Sequence, residues 1–234
     1  MSIHIHPVAE LAPRVLLPGD PGRAMAMAQT LLADGRLMFN HNRGLWGYSG
    51  TAADGEPLTI QATGVGGPSA AIVLEELADL GAKSAIRVGT CGALTPGLKL
   101  GDLVAAEAVV AADGTSRALG LSGTKTLDHE LTRTLSEHAD HSAPIASADL
   151  FYDPDFEAHA QLWREQGAIA VEMEAAALAA VAARRGLAFG CVLIVSDTYG
   201  PQHERINPDI LETAVQRMGA AAVAAYLRDQ PAST

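Results

Sequence analysis

Short apolar runs alternate with helix-length segments along most of this chain, and that alternation restricts the fold more than any other feature. Strands are expected at Arg14–Leu17, Leu37–His41, Trp46–Ala52, Leu58–Thr63, Ala85–Val88, Leu103–Ala111 and Phe189–Val195. Between them, Ser69–Leu80 places Ile72, Val73, Leu77 and Leu80 at helical spacing, and Gly81 follows as a stop. Further helices are expected at Leu127–Ala139, at Phe156–Gln166 with Asp153 as cap and Pro154 in the first turn, at Ala175–Arg185 before Gly186, and at Pro208–Leu227 behind Asn207. Strands alternating with helices of this length predict an α/β fold with helices on both faces of the sheet, where chemistry collects at strand ends.

With 234 residues and 48% hydrophobic content, the chain can build one sizeable core, so a single domain spanning 1–234 is expected. Aromatic residues make up only 4%, and alanine runs such as Ala175–Ala177 and Ala220–Ala222 suit helices packed close to a sheet. A net charge of −11 argues against a nucleic-acid or anionic-membrane surface, so an anionic ligand would need a local basic pocket. Cys91 and Cys191 sit in or beside apolar runs and cannot form a disulfide framework. No apolar stretch is long enough to cross a membrane and Met1–Glu10 is not a signal peptide, so a cytoplasmic protein is expected. Met1–Pro13 and Asp229–Thr234 read as loose termini. His4 and His6 stand at no metal-ligand spacing with a cysteine or carboxylate, and no metal is expected.

Four strand ends carry the candidate chemistry: Gly19–Arg23, Gly64–Gly67, Arg87–Gly92 and Ser196-Asp197. In the first, Asp20 can cap a helix whose first residue is Pro21. The free N–H groups there and the Arg23 guanidinium suit a phosphate, while a plain strand-to-helix turn would read the same way. Arg87 lies inside the apolar run Ala85–Val88, and a guanidinium buried there needs an anion, either a structural carboxylate or a bound phosphate beside Thr90. Glu172 and Glu174 would diverge on a helix but share a face in extended chain, which predicts that helix formation begins only near Ala175. Paired acceptors on one face suit the vicinal hydroxyls of a ribose, while an acidic helix N-terminus favoured by the dipole would read the same way. Asp197, closing a buried strand, is placed for general-acid work or for a turn.

In this order and spacing, the segments Leu17–Arg23, Asn42–Gly47, Arg87–Gly92, Ser147–Tyr152, Val171–Ala176 and Val195–Asp197 make the chain resemble the bacterial, hexamer-type purine nucleoside phosphorylases over nearly its whole length. The resemblance implies a three-layer α/β domain with a central mixed, partly barrel-like sheet flanked by helices. It implies a phosphate site at Gly19, Arg23, Arg87 and Thr90, completed by Arg43 from a neighbouring subunit. Ribose contacts would come from Met173 and Glu174 with Glu172 nearby, and from His4 of the neighbour, with His6 as the other candidate. Phe151, Val171, Ser196 and Asp197 would face the base. Inorganic phosphate would be a co-substrate, no cofactor would be needed, and the assembly would be a homohexamer, a trimer of dimers. Where similar enzymes carry an arginine thirteen residues after the acid, this chain has Ile210, with Arg205 and Arg217 the nearest arginines. A uridine phosphorylase, a hydrolytic nucleosidase and a non-catalytic nucleoside-binding protein are the alternatives. The segment after Phe151 lacks the Gln-x-Arg pair expected for pyrimidines, and the three arginines argue against hydrolysis.

Overall fold

The computed structural model describes residues 2–198 and 204–227. In chain order its elements are β1 (Arg14–Leu17), α1 (Pro21–Leu31), β2 (Leu37–Asn40), a 3₁₀ turn (Asn42–Gly44), β3 (Gly47–Thr51), β4 (Pro57–Gln61), α2 (Gly67–Leu80), β5 (Ser84–Ala93) and β6 (Leu103–Ala112). There follow α3 (Gly114–Ala118), β7 (Thr124–Thr126), α4 (His129–His138), β8 (His141–Ala148), α5 (Phe156–Glu165), β9 (Ala170–Glu172), α6 (Ala175–Arg185), β10 (Ala188–Asp197) and α7 (Pro208–Leu227).

All strands belong to one mixed sheet in which β5, β10, β6, β8 and β9 close on themselves as a five-stranded barrel. β1, β4, β3 and β2 extend from β5 as an open wing. The backbone of the barrel is the parallel pair β5 and β10, ten residues each, in register from Ser84↔Ala188 onward. Phe189–Val195 is fully buried because both faces of that strand are covered, which is why it reads as an unbroken apolar run. Helices α2, α3 and α6 pack together on one side and α1, α4 and α7 on the other, giving the expected three layers. Every residue from Ala175 to Ala182 is buried, and its small side chains let α6 lie close against α2. Among the described residues, no helix is long and apolar enough to cross a membrane.

Helix boundaries follow the sequence signals where a cap is local. Asp20 accepts from the Arg23 N–H at 2.6 Å, Asn207 from that of Asp209 at 2.8 Å, and Gly81 and Gly186 end α2 and α6 in the left-handed region. One cap is corrected. α5 starts behind Asp155, not Asp153, because Asp153 is occupied by the Asp155 N–H and the His159 ring.

The N-terminus is also corrected, since residues 3–5 are not loose. Glu76 on α2 accepts from the backbone N–H groups of Ile3, His4 and Ile5 and from His4 Nδ1 at 2.7–3.0 Å, and Ile5 is fully buried. Burial works against the Glu76 charge, but these donors outweigh it and hold its pKa at about 2, below the usual 4.5. A depressed carboxylate stabilises the fold fully above its unfolded value and loses that contribution as pH falls from 4.5 through 2. Glu76→Gln therefore costs about 2 kcal/mol near neutrality, and the deficit largely vanishes near pH 2, as thermal unfolding of both proteins across that range will test.

Candidate active site

The site is built around Arg87, whose guanidinium folds back over Gly89. A Cβ at residue 89 would stand 2.7–3.1 Å from the guanidinium atoms, so the close approach needs glycine there. Arg87 is 3% exposed. Its Nε donates to Glu172 Oε2 at 2.9 Å and its Nη2 to Glu174 Oε2. Nη1 is buried with no acceptor and lies beside Gly19, 3.6 Å from where a Cβ of that residue would be. Burial opposes the Arg87 charge, but Glu174 and then Glu172 outweigh it and raise its pKa.

Two structural carboxylates and one unpartnered N–H donor thus coexist at this arginine. The late helix start holds, since α6 begins at Ala175, but the extended segment stops at Glu172, and Met173 and Glu174 form a bend with Glu174 at φ −135° and ψ −27°. Glu174 Oε1 accepts from the Gly66 N–H at 2.6 Å, and burial raises the Glu174 pKa, with Arg87 opposing and Glu172 reinforcing the shift. Glu172 accepts from Arg87, the Glu174 and Ala175 N–H groups at 2.9 Å, and Ser147 Oγ.

A second cation faces the same space. Arg23, in the first turn of α1, has no ion pair among the described residues. Burial and then the Arg87 charge lower its pKa, with Asp20 and Glu174 opposing. Two guanidinium groups that destabilise one another beside a helix N-terminus form a setting that an anion relieves.

Gly19, Arg23, Arg87 and Thr90 line one cleft of about 640 Å³ together with Phe151, Val171, Glu172, Met173, Glu174, Ser196 and Asp197. Asp197 reaches it through a β-bulge: the β10–β5 register slips between Val195 and Asp197, which pairs with Gly92. Ser196 Oγ hydrogen-bonds Asp197 Oδ2 at 2.6 Å. Arg205 forms an isolated antiparallel bridge with Asp197, and its Nε lies 3.8 Å from Asp197 Oδ1. Arg217 is held elsewhere, by Asp140 at 2.9 Å, and Ile210 packs near Gly101.

His4 and Arg43 do not line this cleft. His4 is bound to Glu76, His6 contacts the Ile3 carbonyl, and Arg43 is exposed in the 3₁₀ turn with φ 57° and ψ 17°. Sequence reasoning assigned no individual role to several lining residues, including Cys91, Leu150, Tyr152 and Phe156. Tyr152 is 90% exposed and meets Phe151 edge to face at 5.0 Å, and two adjacent aromatics in a chain this poor in them were the available signal. Burial pushes the Cys91 thiol up, which leaves it a packing residue.

A sequence model of the phosphorylase superfamily matches residues 13–228. A DeoD-type purine nucleoside phosphorylase of Geobacillus kaustophilus is 39% identical over 207 residues, covering 84% of this chain and 86% of the relative. One from Clostridium perfringens (strain ATCC 13124) is 37% identical over 235 residues, covering 96% and 99%. Among solved structures, uridine phosphorylase from Vibrio fischeri ES114, complexed with 6-hydroxy-1-naphthoic acid, superposes with a TM-score of 0.79 at 28% identity, covering 94% of this chain and 93% of that one. With a matching profile over most of its length and relatives of this similarity, the chain belongs to the phosphorylase superfamily.

Proposed function

We propose that this protein is a purine nucleoside phosphorylase, which cleaves purine ribonucleosides and 2′-deoxyribonucleosides reversibly with inorganic phosphate to give free base and (deoxy)ribose 1-phosphate. The observation that carries the reading is the unpartnered Nη1 of buried Arg87, which lies beside Gly19 in a residue that lines one cleft with Arg23 and Asp197. Asp197 pairs with Gly92, and the Arg87 guanidinium lies over Gly89, three residues back along β5, which is about 10 Å of extended chain. That span accommodates phosphate, sugar and base in sequence.

Phosphate sits on Gly19, Arg23, Arg87 and Thr90, and the ribose lies against Met173 and Glu174. The purine packs on Phe151 and Val171, with Ser196 and Asp197 at its five-membered ring. A phosphate oxygen bonds to C1′ as the C1′–N9 bond breaks, and the electron pair leaves with the base. Asp197 donates a proton to N7, so the base departs neutral while the phosphate anion faces the oxocarbenium-like sugar. The chemistry needs no cofactor; the protein contributes position and field. Arg205, 3.8 Å from Asp197, assists its protonation, a role that the sequence left open among Arg205, Arg217 and neither. His4 and Arg43 lie outside this chain's own cleft, which supports their assignment to the site of a neighbouring copy in a homo-oligomer, with a hexamer the proposed size.

The likeness to a uridine phosphorylase keeps one competitor in play. Inosine, guanosine, adenosine and uridine, each with and without phosphate, are the deciding panel, read as free base and ribose 1-phosphate. The expected result is phosphate-dependent release of purine. Base release that ignores phosphate would replace the reading with a nucleosidase, preference for uridine with a pyrimidine enzyme, and binding without turnover with a sensor.

A further inference from the structure

Glu172 is spent within the protein. Its Oε1 accepts from Ser147 Oγ and the Ala175 N–H, and its Oε2 from Arg87 Nε and the Glu174 N–H. Four donors fill the lone-pair capacity of a carboxylate, leaving nothing for a sugar hydroxyl. Ser147 is committed as well: fully buried on β8, in register with Glu172 of β9, it donates to that carboxylate and accepts from the Ala176 N–H at 2.8 Å. Two strands and the first turn of α6 therefore fix the carboxylate in place. Among the described residues its one side-chain cation is Arg87, gripped at Nε, which lies in the plane of the guanidinium.

We propose that Glu172 and Ser147 are positioning residues for the attacking phosphate: by clamping Nε of Arg87 they aim its free Nη1 at the anion position beside Gly19. This deepens the proposed function and rests on it, and it moves Glu172 from the ribose to the phosphate side of the reaction. Glu174 holds Nη2 alone and would leave the guanidinium free to swing about that single contact. A planar fork recognises phosphate only when its orientation is fixed, so loss of the clamp costs phosphate affinity while the nucleoside contacts stay intact.

The test compares Glu172→Gln and Ser147→Ala with the parent protein. It measures binding of inorganic phosphate by calorimetry, KM for phosphate and for inosine, the rate ratio of inosine to 2′-deoxyinosine, and thermal unfolding. Glu172→Gln should weaken phosphate on the order of 10- to 100-fold and Ser147→Ala about 3- to 10-fold, with the inosine KM and the ribose-to-deoxyribose ratio unchanged. A shift in that ratio would make Glu172 a ribose ligand and overturn the proposal. So would lowered thermal stability at unchanged phosphate affinity, which is a purely structural role. Should Glu172→Gln fail to fold, Ser147→Ala carries the decision. Phosphate calorimetry needs no turnover, so a parent protein that binds phosphate without cleaving nucleosides refutes the assigned activity while still testing the clamp.

Discussion

Asp197→Asn lowers kcat for inosine by about 10²- to 10⁴-fold and leaves the inosine KM nearly unchanged, the range expected when a general acid is lost and binding is not. Asparagine keeps the shape and still accepts from Ser196 Oγ, which meets Oδ2 at 2.6 Å, so the bulge that turns residue 197 into the cleft should persist. What asparagine lacks is the proton for N7. The matching control is 7-methylinosine, whose base already carries a substituent at N7 and leaves neutral without a proton. Asp197→Asn should process it within about tenfold of the parent rate, since no general-acid step is then required. Equal losses on both substrates, measured by steady-state phosphorolysis, would remove Asp197 from proton transfer and make it a binding or packing group.

Arg87→Met should be the most damaging change to stability, about 3–5 kcal/mol, because it strands Glu172 and Glu174 in the interior without their cation. Phosphate affinity should fall with it, by about 100-fold or more, through loss of the free Nη1. The pH dependence has a definite sign. Burial already raises the Glu174 pKa above its ordinary 4.5, and removing Arg87 raises it further. A carboxyl group with a raised folded pKa favours the folded state when protonated, so the deficit of Arg87→Met is largest at neutral pH and shrinks as pH falls through the raised value toward 4.5. Denaturant unfolding at pH 7 and pH 5 checks this. A deficit independent of pH would mean that the cost is a packing defect and not an uncompensated charge.

Legibility in the sequence tracked how local each cause was. The Asp20 cap, the Gly81 and Gly186 stops and the start of α6 only after Glu174 were readable because each depends on neighbours within a few residues. β8 and β9 were not. β8 carries Pro144 and polar residues along a half-exposed first half, and β9 has only three residues, too few for a period of two. Closure of the barrel joins β5 to β10 across about a hundred residues, a pairing that no local pattern encodes. The site divides the same way. Burial of Arg87 followed from its apolar run, whereas its sharing between two carboxylates and a free N–H depended on strands that the pattern did not reveal. Ser147 became visible only when β8 was laid beside β9. The Asp153 cap failed because His159, one turn into α5, took its carboxylate.

Arg43 is the one described non-glycine residue at positive φ, followed by Gly44 at φ 72°. Left-handed backbone costs an L-residue about 1–2 kcal/mol that glycine would not incur. An exposed 3₁₀ turn offers Arg43 no burial to offset that cost within its own fold. In the proposed oligomer, each copy therefore holds a locally unfavourable conformation whose benefit falls in a neighbour's cleft. A single subunit judged by its own stability would favour glycine, and the proposed assembly is what would give the arginine a reason to be there.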